Sequence, residues 1–174
     1  MPSAPRLIDP VTLDDLLLYR LTRLLGVAGS PVIRLCEGRF GITRREWRLL
    51  ALLVREEVLL SSQLAEKAQL DRARTSKAIT SLVAKKLLRR ETRPGDRRQA
   101  VLALTESGRA LYDALFPLVR EINRDLLDGF SEAEVQRLEE MLETLQRRAD
   151  AWVAQPELPK ANRRRGASPA RREI

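Results

Sequence analysis

The chain of 174 residues contains no histidine. The commonest general base and the commonest metal ligand are thereby missing. It has one cysteine, Cys36, so no internal disulfide framework can form and a reducing compartment is expected. Aromatic residues make up only 4% of the chain, which leaves the core to aliphatic side chains. No apolar run approaches the roughly 18 residues of a membrane span. The opening MPSAPRLIDPVT has no apolar signal core, so a cytoplasmic protein is expected. The chain has no GxxxxGK[ST] loop and no carboxylate cluster in its basic region. Nothing therefore supports an enzyme acting on nucleic acid, and no cofactor or metal is expected.

What is present is a concentration of positive charge. Residues 67–98 hold 11 Lys/Arg against 3 Asp/Glu, a net +8 equal to that of the whole chain. Charge gathered in one place points to phosphate binding rather than to a generally basic surface. Hydrophobic residues at 44% suffice for a real core.

Periodicity divides the chain. Residues 1–11 carry three prolines and little pattern, so a flexible start is expected. Leu13, Leu16, Leu17, Leu21, Leu24 and Leu25 recur at helical spacing in a run reaching Phe40, with a break expected at Ser30-Pro31, Ser30 capping. Thr43-Arg44-Arg45-Glu46 is a capping box that opens a second helix. Ser61-Ser62 reads as the start of a short third helix after Val58-Leu59-Leu60. A fourth helix is expected from Asp71 to about Lys85. Its buried face would be Thr75, Ala78, Ile79, Leu82 and Val83. Arg74, Lys77, Thr80, Ser81 and Ala84 would face out, with Arg72 and Ser76 on the flank. That outer face has no acid, whereas a merely solvated helix face mixes both signs.

The period then changes. Leu87–Thr92 and Gln99–Leu104 read as strands joined by Arg93-Pro94-Gly95-Asp96-Arg97-Arg98, a hairpin with arginines at its tip. Thr105-Glu106-Ser107-Gly108 starts a long helix reaching Asp128, and Ser131-Glu132-Ala133-Glu134 starts another reaching about Ala154. The expected fold is mainly α with a small two- to three-stranded β wing. It comprises an N-terminal helix region over 12–41, a winged helix-turn-helix over 42–105, C-terminal helices over 106–154 and a disordered basic tail over 155–174, the flanking helices either folding back as core or interlocking in a two-fold dimer. The second helix of such a turn fits the major groove, and the hairpin beside it brings arginine to the minor groove. Candidate DNA contacts are therefore Arg72, Arg74, Ser76, Lys77, Thr80, Ser81, Arg97 and Arg98.

The chain also resembles the MarR-type transcriptional regulators. The matching residues are Leu64-Ala65-Glu66, Leu82 with Lys85, Leu87-Leu88-x-Arg90, Asp96-Arg97-Arg98 and Leu104-Thr105-Glu106-Ser107-Gly108-Arg109. The resemblance implies a homodimer that presents two recognition helices to half-sites about 34 Å apart on a near-palindromic operator of double-stranded DNA. It places Ser76 and Lys77 at the major groove, Arg98 in the minor groove, and Asp96 as the acid that holds the wing. It implies repression relieved by a small-molecule effector, with an aromatic or heteroaromatic carboxylate suspected. Tyr19, Arg20, Arg23 and Trp47 are the candidate effector residues, Trp47 being equally readable as core. One departure stands out: Lys86 occupies a place where such proteins usually carry glycine, so it must turn left-handed or the helix must end differently. Cys36 leaves a redox-sensing repressor as an alternative, and a protein-interaction winged helix is a second. The basic tail either adds affinity through counterion release or is inert.

Overall fold

The computed structural model describes residues 6–93 and 96–153, with side chains from 6–91 and 101–152. The expected tail, 155–174, and the first residues of the flexible start lie outside the described residues. The chain divides into two compact units, Met1–Asp128 and Gly129–Ile174.

In the first unit, Asp15 closes a short 3-10 turn, Leu13–Asp15, by accepting from the Thr12 amide at 2.9 Å and the Thr12 hydroxyl at 2.8 Å. Helix α1, Leu17–Ala28, follows, then α2, Ser30–Arg34, which continues as a widened turn over Leu35–Arg39. The expected break is present, but Ser30 does not cap it. Gly29 stands at the junction and Ser30 is already helical, with Pro31 in the first turn, where its missing N–H costs nothing.

Helix α3, Arg44–Glu56, opens on the capping box read from the sequence. The Thr43 amide donates to Glu46 Oε2 at 2.6 Å, and the Glu46 amide donates to Thr43 Oγ1 at 3.1 Å. Val58–Leu60 is a strand, β1, rather than a lead-in to the next helix. Helix α4, Ser61–Lys67, is capped by Gln63, whose Oε1 accepts from the Leu60 amide at 3.0 Å, and not by the two serines. Helix α5, Arg72–Ala84, starts at Asp71, which accepts from the Arg74 amide at 2.8 Å. Strands β2, Leu88–Arg93, and β3, Asp96–Leu104, are antiparallel and in register from Leu88↔Leu104 to Thr92↔Ala100, then irregular at Arg93↔Asp96. β3 lies between its partners in the order β1-β3-β2. Helix α6, Glu106–Leu126, is capped by Thr105 and completes the unit.

The core is aliphatic, as the low aromatic content requires. Leu49, Leu50 and Leu53 of α3, Leu64 of α4, Leu82 of α5, Leu102 of β3 and Leu115 of α6 are all fully buried. Each contributes about 2 kcal/mol by leaving water. The second unit is helix α7, Glu132–Val153, opened by a reciprocal Ser131–Glu134 cap. Its apolar residues Leu138, Met141, Leu142 and Trp152 are exposed.

The end of α5 resolves the question of Lys86. Its φ is +59°, so lysine does take the left-handed turn. The Leu87 amide donates to Leu82 O and the Lys86 amide to Val83 O, both at 2.9 Å, the Schellman pattern of a helix end. Helix α6 docks on this turn. Thr105 Oγ1 donates to Lys86 O at 2.7 Å, and the Thr105 amide donates to Leu87 O at 3.2 Å. A Cβ on Gly108 would lie 2.0 Å from Leu87 O. Gly108 is therefore glycine because a carbonyl occupies the place of its side chain.

Two stability changes of opposite sign follow. Lys86→Gly relieves the left-handed strain and is expected to stabilise the fold by up to about 1 kcal/mol, the strain outweighing the extra chain entropy of glycine. Gly108→Ala forces α6 off the turn and is expected to cost about 3 kcal/mol. Chemical denaturation of both variants measures each change.

Candidate nucleic-acid interface

Helix α5 buries Thr75, Ala78, Ile79 and Leu82 and leaves Arg72, Arg74, Ser76, Lys77 and Thr80 exposed. Val83, expected on the buried face, is half-buried. Arg74 Nε pairs with Asp71 at 3.0 Å across the first turn, and Thr80 Oγ1 donates back to Ser76 O at 3.0 Å. Ser81 departs from the expected outward direction. It is half-buried, and its hydroxyl favours the ionised form of the Glu46 carboxylate. The backbone explains this, since Ser81 lies on the edge of α5 that meets the start of α3.

The charge concentration sorts into two kinds. Lys67 pairs with Glu56 at 2.9 Å, Lys85 with Glu46 at 3.0 Å and Arg89 with Glu91 at 3.2 Å. Glu56 and Glu46 lie outside residues 67–98, so a charge count along that stretch overstates the free positive charge. Arg72, Lys77, Lys86 and Arg90 are exposed and have no ion pair among the described residues. These are the cations left to meet a polyanion. Arg97 and Arg98, expected in a loop, fall on strand β3, so the wing is longer than the sequence suggested. Their side chains, and that of Asp96, lie outside the described residues.

Glu46 is the buried anchor beneath this face, with its side chain 3% exposed. Burial pushes its carboxyl up, but the Ser81 hydroxyl, the Thr43 amide and the Lys85 ammonium more than offset this and hold it below its ordinary value.

The candidate effector residues divide into two groups. Arg23 pairs with Asp14 at 2.6 Å and lies 5.9 Å from the Tyr19 ring centre, while Arg20 is exposed. Trp47 instead stacks on Tyr112 at 5.2 Å and neighbours Phe116 at 6.5 Å, and Tyr112 and Phe116 stack at 5.3 Å. No hydrogen bond, ion pair or ring contact among the described residues joins the two groups. Tyr112 and Phe116 were not singled out in the sequence. Their spacing of four residues on one helix was the available signal. An open groove of about 510 Å³ lies elsewhere, between Arg34 and Arg39 on one wall and Glu121 and Asp125 on the other, and none of the four candidates lines it.

Cys36 is fully buried, and burial together with Glu37 pushes its thiol up against a smaller opposing effect of Arg44. An oxidant sensor needs the reverse, a lowered and accessible thiol. Among the described residues there is no cluster of three potential metal ligands and no helix long and apolar enough to cross a membrane.

Helices α3, α4 and α5 with the three-stranded sheet agree with known proteins. Residues 40–99, about a third of the chain, match the MarR family model. This segment is similar to MarR-family winged helix-turn-helix proteins. The chain is 37% identical over 62 residues to the HTH-type transcriptional repressor NicR of Pseudomonas putida, a match covering 36% of this chain and 39% of that relative. The chain thus spans about two fifths of that repressor's length. Among solved structures, a MarR-family transcriptional regulator from Silicibacter pomeroyi is 27% identical, with a TM-score of 0.67 covering 79% of this chain and 92% of that one. Bordetella bronchiseptica BpsR, whose DNA binding is regulated by 6-hydroxynicotinic acid, shares the fold at 23% identity with a TM-score of 0.62, covering 73% of this chain and 98% of that one. The MarR family consists of transcriptional regulators rather than enzymes.

A depressed carboxyl contributes stability above its unfolded value and loses it as pH falls through the folded one. For Glu46 that window opens just below pH 4.5. Unfolding free energy measured from pH 6 to pH 3 is expected to fall in acid, and Glu46→Gln, which keeps the capping box, is expected to flatten part of that fall.

Proposed function

We propose that this MarR-type chain is a DNA-binding transcriptional repressor. It acts as a homodimer on a near-palindromic operator and is released by a small-molecule effector. The observation that carries the proposal is the outer face of α5. It is exposed, it bears Arg72 and Lys77 without ion pairs among the described residues, and it contains no acid. Lys77 and Ser76 read the major groove, Arg72 and Arg74 touch flanking phosphates, and Arg98, from the wing, enters the minor groove. Ser81 contributes through Glu46 rather than at a base.

The dimer is supported by apolar surface that a lone chain leaves in water. Leu18 and Leu25, two turns apart on one face of α1, are 72% and 59% exposed, and α7 by itself carries Met141, Leu142 and Trp152 on its surface. Contiguous apolar helix faces of this kind are covered in a stable protein. Residues 12–41 and 106–154 are the proposed dimerisation regions. Two-fold pairing of recognition helices then sets the half-site spacing at about one turn of DNA.

An aromatic or heteroaromatic carboxylate is the proposed effector class. The stacked rings of Trp47, Tyr112 and Phe116, with Phe116 42% exposed, offer a planar apolar surface for such a ring. The ligand's power to release DNA equals its differential affinity for the free and bound conformations. The Cys36 alternative lacks the thiol chemistry it needs.

Lys77→Ala and Arg98→Ala, each checked to remain dimeric by sedimentation, are expected to weaken duplex binding about tenfold at moderate salt. Arg72→Ala, which removes a proposed phosphate contact, should lower the slope of log affinity against log salt by about one. Undiminished affinity in both Lys77→Ala and Arg98→Ala would count against the proposal. In thermal-shift measurements over a panel of aromatic carboxylates, beginning with 6-hydroxynicotinic acid, at least one acid is expected to stabilise the protein and to release duplex DNA. A ligand at a hundred times its Kd stabilises by about 2.7 kcal/mol.

A further inference from the structure

Lys85 lies at the end of the reading helix, inside the most basic stretch of the chain, yet its surroundings turn it inward. An ammonium has three N–H bonds to give. The Lys85 ammonium makes three short contacts inside the protein: to Gly41 O at 2.9 Å and to Glu46 Oε1 and Oε2 at 3.0 Å each. The carboxylate it meets is 3% exposed, while the lysine side chain is 36% exposed. Glu46 in turn accepts from the Thr43 amide at 2.6 Å, and the nearby Ser81 hydroxyl of α5 favours its ionised form. One buried carboxylate therefore ties the start of α3 to the C-terminal end of α5 through Lys85.

We propose that Glu46 is a positioning residue for sequence reading: through Lys85 and Ser81 it sets the angle at which α5 is presented, and Lys85 is thereby withdrawn from DNA. The inference rests on the DNA-binding reading above. The same helix end is also pinned by Thr105 to Lys86 O and Leu87 O. With its end held by both Thr105 and Glu46, α5 cannot roll without breaking one set of bonds. A roll displaces side chains at the groove by more than base-edge hydrogen bonds tolerate, yet leaves the surface charge unchanged.

The sign of the effect makes this testable. Removing an acid from a protein that binds a polyanion ordinarily strengthens binding. Here it is expected to weaken specific binding. The wild-type protein first selects duplexes from a randomised pool, and the tightest selected duplex becomes the specific probe, with a scrambled duplex of equal length as the non-specific one. Glu46→Gln, Lys85→Met and Ser81→Ala are compared with wild type on both probes over a salt series, with melting temperature recorded for each.

Glu46→Gln and Lys85→Met are each expected to lose about tenfold on the specific probe and less than about twofold on the scrambled one. Their salt slopes should remain at the wild-type value. Ser81→Ala should show a smaller loss of the same pattern. Stronger or unchanged specific binding by Glu46→Gln overturns the inference. So does a drop of about one in the salt slope of Lys85→Met, which would make Lys85 a phosphate contact. A loss equal on both probes that tracks the fall in melting temperature overturns it too, since that is what a merely structural role produces. A wild-type protein that enriches no sequence sinks the DNA-binding reading itself, an outcome distinct from variants that bind as well as wild type.

Discussion

The left-handed turn at Lys86 is the constraint on which the rest of the first unit depends. A helix that ends in a Schellman pattern leaves two carbonyls pointing outward, and here both are taken by Thr105 at the start of α6. Gly108, one turn on, has to be glycine for the two backbones to approach so closely. The reading helix and the longest helix of the unit are thus joined at their ends by backbone groups rather than by side-chain packing alone. β2 leaves from the same point at Leu88, so the wing inherits its direction from that turn too. Glycine at this position would avoid the strain; lysine accepts it here, and four hydrogen bonds around Lys86, Leu87 and Thr105 hold the geometry.

The electrostatics have a comparable division of labour. Among the described residues four cations of the basic stretch are paired, and of these only Lys85 meets a carboxylate that is itself buried. Exposed pairs such as Arg89–Glu91 contribute little to stability and exchange readily for phosphate. A pair whose acid is out of water does not exchange, because freeing the lysine would strand the carboxylate. The same residue type in the same short segment therefore serves as surface charge at Lys77 and as internal clamp at Lys85. What separates them is which face of α5 the helical turn assigns them to.

Most of the fold was legible because its signals are local. The Thr43–Glu46 box, the Asp71 and Thr105 caps, the Gly129 stop and the aliphatic stripes all act within a few residues, and the helices begin and end about where they point. What escaped depended on partners distant in sequence. Val58–Leu60 is a strand only because β3, some forty residues later, pairs with it; three apolar residues between helices carry no period of their own. Ser81 was assigned outward because the sequence does not reveal Glu46 waiting beneath it. Trp47 was grouped with Tyr19 and Arg23 through the effector pocket the resemblance implies, and its ring neighbours on α6, Tyr112 and Phe116, gave no signal linking them to Trp47. Arg97 and Arg98 were placed in a loop because Pro94-Gly95 marks a turn without marking how far pairing continues beyond it.

The same separation bears on how a ligand could be sensed. Helix α6 carries Thr105, which holds the end of α5, at its cap, and Tyr112 and Phe116, which meet Trp47 of α3, within the next three turns. Trp47 directly follows Glu46, whose carboxylate holds α5 from the other side. The two ties on the reading helix therefore converge on one aromatic cluster, one through α6 and one through the start of α3. A change in spacing between α3 and α6 at the rings moves one tie relative to the other, and α5 must either roll or break a bond. The lever does not require a long chain of contacts. It requires only that both fastenings of α5, the hydrogen bonds at Lys85 and at Lys86, persist while the ring spacing changes.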